Sequence, residues 1–196
     1  MTSQNRNSDI NHALAASLKR LAARKPIEKI TIKEITDGCD VIRPTFYNHF
    51  QDKYDLIEWI INTELLEPIR PMIRNDMIQD GIEILLISIS KEKEFYNQAI
   101  KMEGPVTFDA IALKCSQQFL EEILKEIGAE SSSNHRWLSK DVVSYYFAQS
   151  MSFVMIEWLR TGMKYSPKEM SEAYQYIITH SLIDVAKEMG GKPFGF

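Results

Sequence analysis

Between Ile30 and Tyr54 the chain reads ITIKEITDGCDVIRPTFYNHFQDKY. This run leaves little room for anything but a short helix, a tight turn and a second short helix. Thr31 and Glu34 stand at capping-box spacing, with Ile30 placed before them as a staple residue. Ile32 and Ile35 face inward, and Gly38 stops the helix in the way a C-terminal glycine commonly does. Cys39-Asp40-Val41 forms the turn, with Val41 as the apolar plug between crossing helices. The segment from Arg43 to Asn48 is the next helix, in which Pro44 is tolerated because a first-turn amide needs no intrahelical partner. Gln51-Asp52 opens a fourth helix, with Asp52 at the end that favours negative charge. Tyr54, Leu56, Ile57, Ile60, Ile61, Leu65 and Leu66 carry it onward until Pro68 and Pro71 terminate or kink it.

The rest of the chain has helical periodicity, which predicts an all-α fold. Before the run, Ile10, Leu14, Leu18 and Leu21 mark one face of a helix over about 7–23, which Pro26 stops. After it, helices are expected over about 76–88, 91–101, 106–127, 139–161 and 167–189. The stretch GAESSSN at 128–134 is the clearest loop. Two units follow from this pattern, a three-helix head over 1–54 and a helical body over 55–196. The helix at 139–161 is apolar over most of its circumference, so it must be covered on several sides. With the last helix it predicts a four-helix homodimer interface through Tyr146, Met151, Val154, Trp158, Tyr174, Ile177, Ile178 and Leu182.

Charge is unevenly divided. The first 53 residues hold nine Lys/Arg against six Asp/Glu, whereas the remainder holds fourteen against twenty-one. A basic head on an acidic body fits a local nucleic-acid footprint rather than general polyanion binding. The two cysteines, Cys39 and Cys115, lie far apart and match no metal spacing, which is consistent with a reducing cytoplasm. No apolar run approaches the ~20 residues that span a bilayer, so no membrane partner is expected. There is no Gly-rich phosphate loop and no HExxH, and the four histidines are scattered. Neither a catalytic centre, nor a metal, nor a cofactor is expected.

A helix-turn-helix reader needs a bracing helix, a tight turn and a second helix offering polar groups to the major groove. Residues 31–38 can brace and residues 39–41 can turn. Arg43, Thr45 and Asn48 can read bases, since Arg takes guanine O6 and N7 and Thr meets a thymine methyl or a base edge. Tyr47, His49 and Lys53 supply donors for phosphate, with the amides that open the fourth helix beside Lys53. Phe46 and Phe50 turn the other way as core anchors. The same residues also suit a helical pair that never meets DNA, with His49 in an aromatic cluster and Arg43 and Lys53 as solvated charges.

The stretch Thr45-Phe46-Tyr47-Asn48-His49-Phe50, followed by Asp52-Lys53 and Leu56-Ile57, resembles the N-terminal signature of the TetR/AcrR family of transcription regulators. The Cys39 turn, the run Asp52 to Ile57 and Trp59 are most similar to its DhaS-like subgroup. The resemblance covers about a quarter of the chain. It implies that Arg43 and Thr45 face bases and that Thr31, Tyr47, His49 and Lys53 hold the backbone of double-stranded operator DNA. It also implies a dimer whose body senses a small-molecule effector. The alternative is a regulator that acts through a protein partner and has no small-molecule pocket. Phe95, Tyr96, Met102, Phe108, Phe119, Tyr145, Phe147, Met151 and Met155 are candidates to line such a pocket. Two departures stand out. Ile42 occupies the cap before the reading helix, where Ser is frequent, leaving Asp40 as the candidate cap, and Pro44 sits where a small residue is common.

Overall fold

In the computed structural model, which describes residues 3–129 and 134–190, helices are joined by short turns, and no strand occurs among the described residues. Helix α1 (Ser3–Ala22) buries Leu14, Ala15, Leu18 and Ala22. After Pro26 a single 3-10 turn, Ile27–Lys29, leads into α2 (Ile32–Asp37), α3 (Arg43–Tyr47) and α4 (Lys53–Ile60). Ile27, Ile30, Ile35, Phe46, Phe50, Leu56 and Ile57 close the core between these elements.

Pro68 and Pro71 do not end the fourth helix. Without an N–H on Pro68, the Glu64 carbonyl lacks its usual donor. Residues Ile61–Leu66 relax into a wider π turn, in which the Glu67 N–H donates to Asn62 O, five residues back. The helix then resumes as α5 (Glu67–Arg74) with both prolines inside it. The body continues with α6 (Ile78–Lys91), α7 (Lys93–Ala99), α8 (Phe108–Glu126), α9 (Lys140–Arg160), α10 (Pro167–Thr179) and α11 (Leu182–Glu188). Helix α8 lies along α9, and α10 packs on α6. Thr107, Ser139 and Ser166 each cap the start of their helix by accepting a backbone N–H. Of the loop expected at 128–134, residues 130–133 lie outside the described residues.

The single helix expected over 167–189 is instead two. His180 is extended (φ −118°, ψ 152°), and the chain restarts on Ser181. The Ser181 hydroxyl donates to Asp184 Oδ2 at 2.6 Å and accepts from Asp184 N at 3.2 Å. This local cap competes with continuation of α10.

Within one chain helix α9 buries only one of its faces and leaves apolar side chains on the other. Ser144, Ala148, Ser152, Met155, Ile156 and Leu159 are buried. On the outer side Tyr146 is 69% and Phe153 66% exposed, and beyond α10 Leu182 is 81% exposed. Four of the residues expected at a dimer interface lie elsewhere. Trp158 is only 2% exposed, and its indole N–H donates to Tyr165 O at 2.8 Å, so it anchors the core of its own chain. Tyr174 is buried, and Met151 and Ile178 line a cavity described below, together with Tyr174. Tyr146 and Ile177 remain exposed with Leu182, and Val154 is half-buried against the core.

Candidate functional site

The bracing helix α2 is fixed at both ends. At its start Thr31 Oγ1 accepts from Glu34 N at 3.3 Å, and Glu34 Oε2 accepts from the Thr31 amide at 2.9 Å. Lys25 also donates to the Glu34 carboxylate. The Lys25 ammonium, with the Thr31 amide and hydroxyl, holds the Glu34 carboxyl at about 2, well below its ordinary value. At the other end Gly38 meets α1. A Cβ there would lie 2.2 Å from Ser17 Oγ, and Arg20 Nη2 donates to Gly38 O at 2.7 Å. The glycine is therefore set by close approach; its φ is −72°.

Asp40 takes the left-handed conformation (φ 54°) that swings the chain from α2 to α3. It does not cap α3. Ile42 is the N-cap, exposed and with no side-chain cap bond, and Pro44 follows in the first turn. A five-residue helix without a cap has little stability of its own; it is held by Phe46 and Phe50, both buried. Their rings lie 5.8 Å apart, and Phe50 meets Trp59 edge-on at 6.2 Å. With the phenylalanines inward, Arg43 and Asn48 are exposed and Thr45 half-buried. Tyr47 is exposed beside them, and His49 is half-buried, tilted against Phe50 at 6.3 Å.

Lys53 departs from expectation. Its ammonium donates to the carbonyls of Ile27, Glu28 and Ile30 at 2.8, 2.7 and 3.0 Å. All three N–H donors are thus engaged within the chain, at the carbonyl end of the 3-10 turn where a cation is favoured. Burial, the largest influence, lowers its pKa. The amides beside it are also satisfied, because Asp52 Oδ1 accepts from Tyr54 N at 2.7 Å and Asp55 N at 2.9 Å. Lys53 is a clamp between α4 and the turn before α2, and the phosphate role expected for it and for these amides is not what this geometry offers.

The body contains a cavity of about 290 Å³ between α5, α6, α8, α9 and α10. Of the aromatic and methionine candidates, Phe119, Phe147 and Met151 line it. Phe95, Tyr96, Met102, Phe108 and Met155 are core, and Tyr145 is exposed. Sequence reasoning passed over the aliphatic wall. Ile69 and Ile73 on α5, Ile78 and Ile82 on α6, Leu120, Ile123 and Leu124 on α8, and Ile127 at its C-cap supply most of it. Their i, i+3, i+4 spacing was the available signal, but the same spacing describes any packed helix.

No group of three or more His, Cys, Asp or Glu is placed to hold a metal among the described residues. Burial pushes the Cys115 thiol up to about 12 and also raises that of Cys39, so both are protonated, unreactive thiols at neutral pH. No described helix is long and apolar enough to cross a membrane.

Residues 14–60 match the family described as bacterial regulatory proteins, tetR family, and residues 76–180 match a transcriptional regulator C-terminal region of the same group. A curated relative, the HTH-type dhaKLM operon transcriptional activator DhaS of Lactococcus lactis subsp. lactis (strain IL1403), is 22% identical over 151 residues, covering 76% of this chain and 79% of that protein. The solved structure of a dihydroxyacetone kinase operon activator DhaS superposes with a TM-score of 0.56 at 20% identity, over 86% of this chain and 93% of the other. Thermus thermophilus FadR, a TetR-family repressor solved with lauroyl-CoA, superposes with a TM-score of 0.57 at 16% identity, over 88% and 94%. These match both the resemblance drawn from Thr45–Phe50 and its DhaS-like shading. With a DNA-binding helix-turn-helix at the front and a regulator body matched over more than half its length, the chain belongs to the TetR family of transcriptional regulators and is not an enzyme.

Proposed function

We propose that the chain works as a homodimer that binds operator DNA sequence-specifically and whose operator affinity is controlled by a small molecule held in the body cavity. The head is taken as residues 1–54 and the body as 55–196. Arg43, Thr45 and Asn48 read bases, because Arg43 and Asn48 are exposed and Thr45 half-buried on α3 and its C-cap, while Phe46 and Phe50 are buried. Thr31, Tyr47 and His49 hold the DNA backbone on either side. Tyr146, Phe153, Ile177 and Leu182 pair two copies, since each is a large apolar group left more than half exposed on the last helices of the body. The two reading helices must then stand about 34 Å apart, or a multiple, to enter successive major grooves on one face. An effector that prefers another spacing releases the protein by shifting that equilibrium.

The observation that carries effector control is the cavity. At about 290 Å³ it is close to the ~300 Å³ at which the range of ligand sites begins. Its α5 wall connects through the π turn to α4, which starts in the head. A regulator acting only through a protein partner needs no such space. Selection of bound fragments from genomic DNA by the purified protein tests the reading. Enrichment of one inverted-repeat sequence supports it, and fragments without a shared sequence or without two half-sites count against it.

A further inference from the structure

Taking the cavity as the effector site, we infer that the effector is an uncharged, largely hydrocarbon molecule of two-ring size, or a chain of about ten carbons, carrying at most one hydroxyl or carbonyl. Thirteen of the fifteen lining residues are apolar, and the two polar ones are Ser144 and Tyr174. Both hydroxyls already have partners. Ser144 Oγ donates to Asp141 O at 3.0 Å and lies 3.4 Å from Glu121 Oε1, and Tyr174 is hydrogen-bonded to Ser150. Either can turn to meet one polar atom, but neither supplies charge.

The cations beside the wall are committed as well. Arg70 lies over the ring of Phe119, 5.0 Å from its centroid, but is gripped by Glu67, Glu122 and Glu126 at 2.6, 2.7 and 3.1 Å. Arg74 pairs with the same Glu126. Three carboxylates thus outweigh two guanidiniums there. A buried carboxylate or phosphate ester would find no countercharge among the described lining residues, and uncompensated burial of an ion is strongly unfavourable.

Volume sets the size. An apolar cavity of about 150 Å³ takes benzene, and this one is about twice as large. The inference separates this chain from its FadR neighbour, whose solved structure holds lauroyl-CoA.

The test pairs probes of one skeleton and different charge. Titration calorimetry of the purified full-length protein at pH 7.5 compares 1-naphthol with 1-naphthoate, and decan-1-ol with decanoate. The neutral member of each pair is expected to bind at least tenfold more tightly. Filling the cavity by Leu120→Trp or, independently, Ile178→Trp should abolish binding with thermal unfolding still cooperative. Equal affinity within both pairs, tighter binding of the anions, or no binding of any probe overturns the inference. So does neutral-probe binding that survives both filled variants. Operator affinity measured with and without 1-naphthol is a separate readout. Neutral binding that leaves operator affinity unchanged sinks effector control while leaving the chemistry of the cavity intact.

Discussion

The ammonium of Lys19 on α1 lies 2.8 Å from Glu64 Oε2 in the π turn, and so ties the head to the body. The same ammonium reaches Glu92 Oε1 at 2.9 Å, between α6 and α7. Burial works to lower the Lys19 pKa, but the two carboxylates together raise it. Lys19→Met should destabilise the protein by about 2 kcal/mol, the scale of charged hydrogen bonds lost from a largely buried site. Because the folded pKa is raised, this contribution is complete below the unfolded value of 10.5 and is lost as pH rises through the higher folded value. Denaturant titrations of both proteins at pH 7 and in strong alkali check it. The difference should shrink only in alkali.

Gly38 and Ser17 form a second junction. Gly38→Ala places a methyl 2.2 Å from Ser17 Oγ and should cost about 1–3 kcal/mol. Ser17→Ala in the same chain should recover most of this, since the nearest remaining Ser17 atom is Cβ at 3.4 Å. The Ser17 hydroxyl itself is buried without a hydrogen-bond partner among the described residues, so Ser17→Ala alone should be close to neutral. Thermal melts of the three variants decide it; an unrescued double variant would mean that the backbone moved.

Lys53→Met should lower stability by about 2 kcal/mol through the loss of three charged hydrogen bonds to carbonyls. It should leave the salt dependence of DNA binding unchanged. A slope of log affinity against log salt that falls by about one would restore a phosphate contact for Lys53.

Arg43→Ala should relax base preference at one position in each half-site, with a loss of about 1–3 kcal/mol confined to the preferred base. Tyr47→Phe should weaken binding to all sequences alike. Affinities across a panel of operator variants separate the two, and unchanged preferences in Arg43→Ala would remove it from the reading set.

Acid should loosen the head through Glu34. Its carboxyl is lowered to about 2 from 4.5, so its contribution is complete above pH 4.5 and disappears as pH falls toward 2. In Glu34→Gln the loss of stability between pH 5 and pH 2.5 should be smaller than in the parent. Urea midpoints measured across that range test it.

The parts of this structure that could be read from sequence are those governed by neighbours in the chain. The Thr31–Glu34 box, the helix start at 167 and the inward Phe46 and Phe50 depend on spacing alone, and all are found. The Ser181–Asp184 cap was equally local, but an uninterrupted apolar stripe on either side concealed it. Lys53 could not be read, because its partners lie 23 to 26 residues away on a turn whose carbonyls converge only in three dimensions. The same holds for Trp158. Its apolar stripe predicted burial, but only the contact with Tyr165 O identifies which surface buries it. The cavity lies further still from sequence, since a void is defined by what five helices fail to fill.

The anchoring of α3 from one side has an evolutionary consequence. Phe46 and Phe50 hold the helix in place, whereas the side chains of Arg43 and Asn48 are exposed to solvent. Exchange of the outer residues leaves the folding free energy almost untouched, so on the proposed reading a descendant of this protein can acquire a new operator in single substitutions without passing through an unstable ancestor.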